Sequence, residues 1–334
     1  MRSRQRGSGR SPANKEANIK VFITGASGFI GSHLAEALRD AGHEVTGLAS
    51  YRSADTHGWL DEIDGVAKVR GDVRDPERMR ALIKGHELVY HLAALGGIPG
   101  SYDAPRTFME VNATGTLNVL LAAREAGAKV IHTSTSEVYG SAQYVPMDEK
   151  HPINPQSPYA ASKFAADALA NAFRLSYGLP VVIIRPFNVY GPRQSERAIV
   201  PTIIRQVLDE SRERVELGNL ESCRDLTYVG DTVRGIMLAA GLDDIGPWHI
   251  GGGYFTSIGD LARIIMDATG IHKPIISVEA HERPVDSEVR TLKCDATKFT
   301  KATGWKPTQP FSTGLSPTIG WFRSRPRPAM GYMV

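Results

Sequence analysis

A doubly wound, parallel α/β sheet of the Rossmann type is predicted for this 334-residue chain, with a smaller, discontinuous C-terminal lobe set over the strand ends. Three observations predict it. The opening of the ordered sequence, NIKVFITGASGFIGSHLAEALRDAGHEV, runs from a short apolar strand through a glycine turn into an amphipathic helix. Strand-like and helical segments then alternate, which demands a parallel sheet covered on both faces. Beyond Asn188 the composition turns proline-rich and less regular, as in VYGPRQS, HERPVDSEV and GWKPTQPF.

The glycine turn places Gly25, Gly28 and Gly31 at the spacing G-x-x-G-x-x-G. In a dinucleotide-binding turn the first glycine permits the tight bend, the middle ones let backbone N–H groups approach a pyrophosphate, and the last lets helix pack on strand. The helix N-terminus then faces the phosphates. Ile30, Leu34, Ala37, Leu38 and Ala41 recur at helical spacing, and Gly42 stands where a C-terminal cap belongs. Five further strands are expected at 45–48, 66–69, 88–92, 129–133 and 181–184, with helices at 76–84, 106–126 and 159–177. Residues near 227–250 are expected to return to the main domain. The predicted division is therefore a leader at 1–17, a nucleotide-binding domain at 18–187 plus about 227–250, a lobe at 188–226 plus 251–322, and a tail at 323–334.

Bulk composition, at 42% hydrophobic and 22% charged residues, is that of an ordinary soluble globular chain. The N-terminal arginines have no apolar core after them and no apolar run is long enough to cross a bilayer, so a cytoplasmic protein with no membrane partner is expected. Cys223 and Cys294 stand far apart without metal-ligand spacing, which predicts two reduced thiols and no metal. The pI near 8.8 hints at nucleic acid until the charges are located. Residues 1–17 carry +4 and Arg323, Arg325 and Arg327 add +3; set against a total of +3, the rest of the chain is left at −4. The basicity belongs to the tails. The leader, rich in Gly, Ser, Pro and Arg, is expected to be disordered, and no nucleic-acid partner is predicted.

The residues that carry chemistry lie in two segments. QSPYAASK sets Tyr159 and Lys163 four apart, and HTSTSEVYG sets Thr135, Ser136 and Glu137 before a glycine. A tyrosine hydroxyl, with a reference pKa near ~10, is a poor base at neutral pH, but a lysine one helical turn away stabilises the phenolate. Tyr159 thereby becomes a candidate proton acceptor.

With these motifs in place the chain resembles, from about residue 19 to 322, the extended short-chain dehydrogenase/reductase superfamily, specifically its nucleotide-sugar dehydratases and epimerases. SADTHGWLDEIDG, HLAALGGIPGSY, VNATGTLNVLLAAREAG, STSEVYGSAQYVPMDEKHP, QSPYAASK, RPFNVYGPRQS and ERPVDSEV look most like the NAD-dependent 4,6-dehydratases of the UDP-N-acetylglucosamine type. The resemblance implies that Tyr159, aided by Lys163, takes the proton of the sugar hydroxyl at carbon 4 while a hydride leaves that carbon. Glu137 would then remove the acidified proton at carbon 5, the carbon 6 hydroxyl would depart, and the hydride would return to carbon 6. Thr135 would hydrogen-bond the oxygen on carbon 4. Ser136 departs from the aspartate of dTDP-glucose 4,6-dehydratases, so Glu137 or a water must protonate the leaving group. The Thr-Ser-Glu triplet is shared with UDP-glucuronate decarboxylases; that activity, a 4-epimerase, release of the 5,6-alkene sugar and a non-catalytic NAD(P)-binding regulator are the alternatives.

The same resemblance implies a set of binding residues. For the cofactor they are Gly25, Ser27, Gly28, Phe29, Ile30, Gly31, Ser50, Arg52, Asp72, Val73, Leu92, Ala93, Ala94, Asn112, Thr133, Tyr159, Lys163 and Pro186; for the nucleotide sugar, Thr135, Asn188, Arg193, Arg224 and Arg283. Arginine suits bidentate phosphate recognition. NAD-specific relatives end their second strand in an acid, whereas this chain has Ala49 there, with Ser50 and Arg52 following. NAD is the cofactor expected, with NADP left open by Arg52. Relatives dimerise through the helices containing 106–126 and 159–177, which implies a homodimer here.

Overall fold

The computed structural model describes residues 18–51, 56–279 and 284–325. The leader at 1–17, Arg52, Arg283 and residues 326–334 lie outside the described residues.

The opening apolar run forms β1 (Lys20–Thr24), buried over its last four residues, and the glycine turn leads into α1 (Phe29–Asp40). α1 closes as the sequence predicts: after the C-cap Ala41, Gly42 at φ +93° donates to Arg39 O and His43 N to Leu38 O, satisfying carbonyls the helix leaves free. Alternation continues through β2 (Glu44–Ala49), β3 (Ala67–Arg70), α2 (Pro76–Ile83), β4 (Leu88–His91), α3 (Ile98–Asp103), α4 (Pro105–Met109), α5 (Gly115–Ala126), β5 (Lys129–Thr133), α6 (Pro158–Tyr177) and β6 (Val181–Pro186). The rest of the chain adds β7 (Asn188–Tyr190), α7 (Ile199–Leu208), β8 (Val215–Leu217), β9 (Cys223–Tyr228), α8 (Val229–Leu238), β10 (Trp248–Ile250), β11 (Tyr254–Ser257), α9 (Ile258–Thr269), β12 (Ile275–Ser277), α10 (Thr297–Thr303) and α11 (Phe311–Ser324).

The main sheet has seven strands in the order β10-β6-β5-β4-β1-β2-β3, all parallel. One apolar layer, around Leu34, Tyr90, Ile184 and Trp305, fills the face covered by α1 and α8. The other, around Phe22, Met79, Leu120 and Phe173, fills the face covered by α2, α5 and α6. The smaller lobe holds a sheet β11-β9-β7 and a pair β12-β8, and its core packs α7, α9 and α11 through Ile203, Leu261, Leu315 and Phe322. Among the described residues no helix is long and apolar enough to cross a membrane.

Three elements differ from the sequence reading. β10 is a seventh main-sheet strand; three residues are too short to show periodicity, and only pairing with β6 reveals them. The helix expected at 106–126 is broken into α4, a π-helical turn at Glu110–Thr114, and α5. Asn112 explains the break: its side chain accepts from Leu95 N at 2.8 Å and donates to Leu95 O at 3.1 Å and Ser162 Oγ at 2.9 Å. Three hydrogen bonds from one buried amide hold a turn that regular helix geometry would aim elsewhere. Finally, α11 runs past residue 322 to Ser324, and Arg325 beyond it grips Glu62 with bonds of 2.9 and 2.7 Å.

Helix α1 reaches the sheet only because Gly31 lacks a side chain; a Cβ there would collide with the Gly25 carbonyl oxygen. Gly31→Ala is expected to cost about 1–3 kcal/mol by overpacking, read as a lower thermal unfolding midpoint. An unchanged midpoint would show that the turn has room to give.

Candidate active site

The glycine turn closes against the end of β4. Gly25 has φ +72°, and a Cβ on it would lie 2.7 Å from Ala93 N and 2.8 Å from the Leu92 carbonyl carbon. Thr24 Oγ1, at the end of β1, accepts from Ala93 N at 3.1 Å. The first turn of α1, which includes Phe29 and Ile30, contains no acidic residue, so the positive end of the helix faces the turn. Ser27 O accepts from Trp59 N at 3.3 Å and brings the segment 58–62 alongside. Farther along the same rim, Thr133 Oγ1 and Asn188 Oδ1 are buried without a hydrogen-bond partner. A cradle too tight for a Cβ, a helix N-terminus and orphaned polar atoms fit the pyrophosphate and neighbouring groups of a dinucleotide.

At the adenosine end the fit is less direct. Ser50 is exposed after β2, and the carboxylate of Asp72 is already held by Arg74, through Nε at 3.1 Å to both oxygens and Nη2 at 2.6 Å. Those bonds hold Asp72 below the usual carboxylate range. Val73 is buried in the core beside Gly115, Ala94 is exposed, and Pro186 is buried at the end of β6.

Ser157 starts α6 by accepting from Ala160 N at 3.1 Å, with Pro158 next in its first turn. Tyr159 therefore sits in the first turn, and Lys163 follows on the same face. Lys163 is buried and donates from Nζ to Thr133 O at 2.7 Å. Thr135 caps the short turn Ser136–Tyr139, accepting from Glu137 N at 3.2 Å, and its side chain hydrogen-bonds the Tyr159 hydroxyl. The ring of Phe108 meets Tyr159 edge-on at 6.2 Å. Glu137 is half-buried, and among the described residues its carboxylate makes no hydrogen bond or ion pair, yet its charge is felt by Tyr159.

Burial pushes the Tyr159 hydroxyl up to about 12; the Thr135 hydrogen bond opposes the rise and the Glu137 charge adds to it. The sequence reading looked to Lys163 to bring the phenol down, and here desolvation wins. Burial also pushes Lys163 down to about 8, an effect Asp167 partly offsets. Because that folded value lies below the unfolded 10.5, the charged lysine opposes folding below about 8 and the penalty fades as pH rises to 10.5. Lys163→Met is expected to stabilise the chain at neutral pH by roughly 3 kcal/mol, with the gain vanishing at high pH. Thermal unfolding of both proteins across the alkaline range checks this; a gain independent of pH would assign it to packing instead of charge.

The profile of the family described as GDP-mannose 4,6 dehydratase matches residues 22–318. This chain belongs to that family. A dTDP-glucose 4,6-dehydratase of Actinoplanes sp. is 33% identical over 92% of this chain and 98% of its own length. A UDP-glucose 4-epimerase of Mycolicibacterium smegmatis is 34% identical over 92% of this chain and 99% of its own. Among solved structures, the dTDP-glucose 4,6-dehydratase DesIV from Streptomyces venezuelae, with NAD bound, superimposes with a TM-score of 0.85 at 32% identity, covering 92% of this chain and 97% of that one. Dehydratases and epimerases are thus about equally near, and overall similarity does not choose between the two reactions.

On the lobe side of the family site, the candidate arginines go to different places. Arg224 is buried, donates to Cys223 O at 2.9 Å and lies 3.9 Å from Glu288, which also accepts from Ser222 Oγ at 2.8 Å. Arg193 adopts φ +66°, unusual for a residue with a Cβ, and lands on α1, where Nη1 meets Glu36 at 3.0 Å. The two are not brought together. A cleft of ≈ 430 Å³ lined by Ser141, Gln156, Asp286, Glu288 and Arg290 opens between the catalytic turn and the lobe. Sequence reasoning passed over Gln156, Glu288, Asp167 and Arg185. Asp167 alone had a signal, eight residues after Tyr159 on the same helical face. Among the described residues no cluster could hold a metal ion, and Cys223 and Cys294 are free thiols.

Proposed function

We propose that this chain is a nucleotide-sugar 4,6-dehydratase acting on a UDP-hexose, UDP-N-acetylglucosamine in first place, with NAD as its recycled cofactor. The observation that carries the reading is Glu137: a carboxylate with no structural partner among the described residues, close enough to Tyr159 for its charge to be felt there. A 4-epimerase has no use for a base at carbon 5. The NAD-bound relative and the glycine cradle support the cofactor. NAD held at the glycine turn would supply the hydride acceptor for carbon 4 and the hydride source for carbon 6.

The protein's part is to move protons. Tyr159 takes the proton from the carbon 4 hydroxyl, with Lys163 supplying the positive charge and Thr135 a hydrogen bond to the oxygen. Conversion of that carbon to a ketone acidifies the proton on carbon 5, and Glu137 removes it. The carbon 6 hydroxyl departs, and with a proton from Glu137 or a water it leaves as water. A solvent-derived proton then returns to carbon 5. One water is lost, and the sugar ends as the 4-keto-6-deoxy form. Arg224 and Asn188 belong to the same reading as diphosphate contacts, and the homodimer through α5 and α6 as its assembly.

Incubation with UDP-N-acetylglucosamine in deuterated water is expected to give a product that has lost water and carries deuterium at carbon 5. A product of unchanged mass inverted at carbon 4 would overturn dehydration in favour of epimerisation. Carbon dioxide from UDP-glucuronate would do so in favour of decarboxylation. Mass spectrometry of nucleotides released on denaturation is expected to show NAD, and NADP in its place would reassign the cofactor.

A further inference from the structure

Helix α6 carries a third polar residue on the face of Tyr159 and Lys163. Asp167 is buried one turn beyond Lys163, and both its oxygens are engaged. Oδ1 lies 3.1 Å from His132 Nε2; Oδ2 accepts from Ser134 Oγ at 2.8 Å and from Arg185 through Nε at 3.2 Å and Nη2 at 2.8 Å. Arg185 is itself tied down, donating to the Tyr139 hydroxyl at 2.8 Å, and that oxygen lies 2.6 Å from His249 Nε2. β5, β6 and the catalytic turn thus clamp one carboxylate behind the active lysine. Nothing in the proposed proton transfers uses it.

The charged and titratable groups around Lys163 come from every neighbouring element. His91 on β4, His132 on β5 and Asp167 on α6 are the groups that feel the Lys163 charge or act on it; Asp167 in turn pairs with Arg185 on β6, which donates to Tyr139, while Tyr159 stands one helical turn before Lys163 and feels Glu137 of the catalytic turn. Burial holds His91 and His132 below the ordinary histidine value and raises Tyr139 to about 12, so all three are neutral at working pH. Burial pushes Asp167 up, but the His132 hydrogen bond and the Arg185 charge together keep it below the ordinary value, so it remains an anion. Behind the tyrosine the buried interior therefore contains two cations, Lys163 and Arg185, and one anion.

We propose that Asp167 is a positioning residue: a fixed carboxylate that keeps the Lys163 ammonium charged and seated on the Thr133 carbonyl, and so available to Tyr159. The inference rests on the reading of Tyr159 and Lys163 as the oxidising pair. Its physical basis is a charge count. An arginine does not give up its proton in a protein, and a second uncompensated cation in a low-dielectric interior is heavily penalised. Without the Asp167 charge the lysine is the group that yields. Glu137 cannot take over, because it lies on the substrate side and exchanges protons there.

The test titrates Lys163 by 13Cε NMR in protein with labelled lysine, the resonance identified by its loss in Lys163→Arg. It needs no substrate, so failure of the functional reading does not blur it. In Asp167→Asn the Lys163 titration is expected to move down by about one pH unit or more, while Asp167→Glu, which disturbs packing but keeps the charge, titrates like the parent. The alkaline limb of turnover should move with it. If Asp167→Asn does not fold, Asp167→Ser, equally uncharged and smaller, stands in, and Lys163 is expected to fall there as well. An unmoved Lys163 in the neutral variants, or a shift in Asp167→Glu as large as in Asp167→Asn, would overturn the proposal and leave Asp167 as packing.

Discussion

Glu137→Gln is expected to stop the reaction after carbon 4 has been oxidised. The glutamine keeps the shape of the side chain and, since the carboxylate has no hydrogen-bond or ion-pair partner among the described residues, its loss leaves no structural contact broken. What it cannot do is accept a proton from carbon 5. Removal of a general base lowers turnover by roughly 10²–10⁴-fold, which is the fall expected in formation of the 6-deoxy product. The oxidised hexose should be found on the protein instead. Quenching with borodeuteride should place deuterium at carbon 4 of the recovered sugar. Elimination at the parent rate would remove Glu137 from the mechanism.

Tyr159→Phe should fail one step earlier, with no oxidation at carbon 4 and a comparable or larger loss of turnover, since the variant lacks the hydroxyl that Thr135 hydrogen-bonds one helical turn before Lys163. The ring keeps its edge-on packing with Phe108, so folding should be intact. Together the variants separate the two chemistries: borodeuteride should label carbon 4 in the glutamine variant and not in the phenylalanine one. The reverse pattern would exchange the two roles.

The glycine turn was legible because it is local. Tight bend, helix start and packing contact all fall within seven residues, and each leaves a residue type behind. Tyr159 and Lys163 were legible for the same reason, since one helical turn of sequence is one helical turn of space. The Asn112 turn was not, because its cause lies at Leu95 and Ser162. β10 was missed as a strand because its only signature is its neighbour β6. Arg193 marks the same limit: its motif suggests the sugar nucleotide, and the left-handed backbone conformation that delivers its side chain to Glu36 on α1 leaves no local trace in the sequence.

The titration of the site shows where sequence stops. Spacing alone says that a lysine near a tyrosine favours phenolate; burial reverses the balance, raising Tyr159 to about 12 and lowering Lys163 to about 8. Local pattern in the chain is enough for the strand–helix alternation of the first half, the glycine turn before the first helix and the side chains that share a face of α6, because these depend on residues a few positions apart. Which of those groups are charged, and what Asp167 and Glu288 face, follow instead from packing in three dimensions, because desolvation and Coulomb energy depend on distances in space between residues that the chain places far apart.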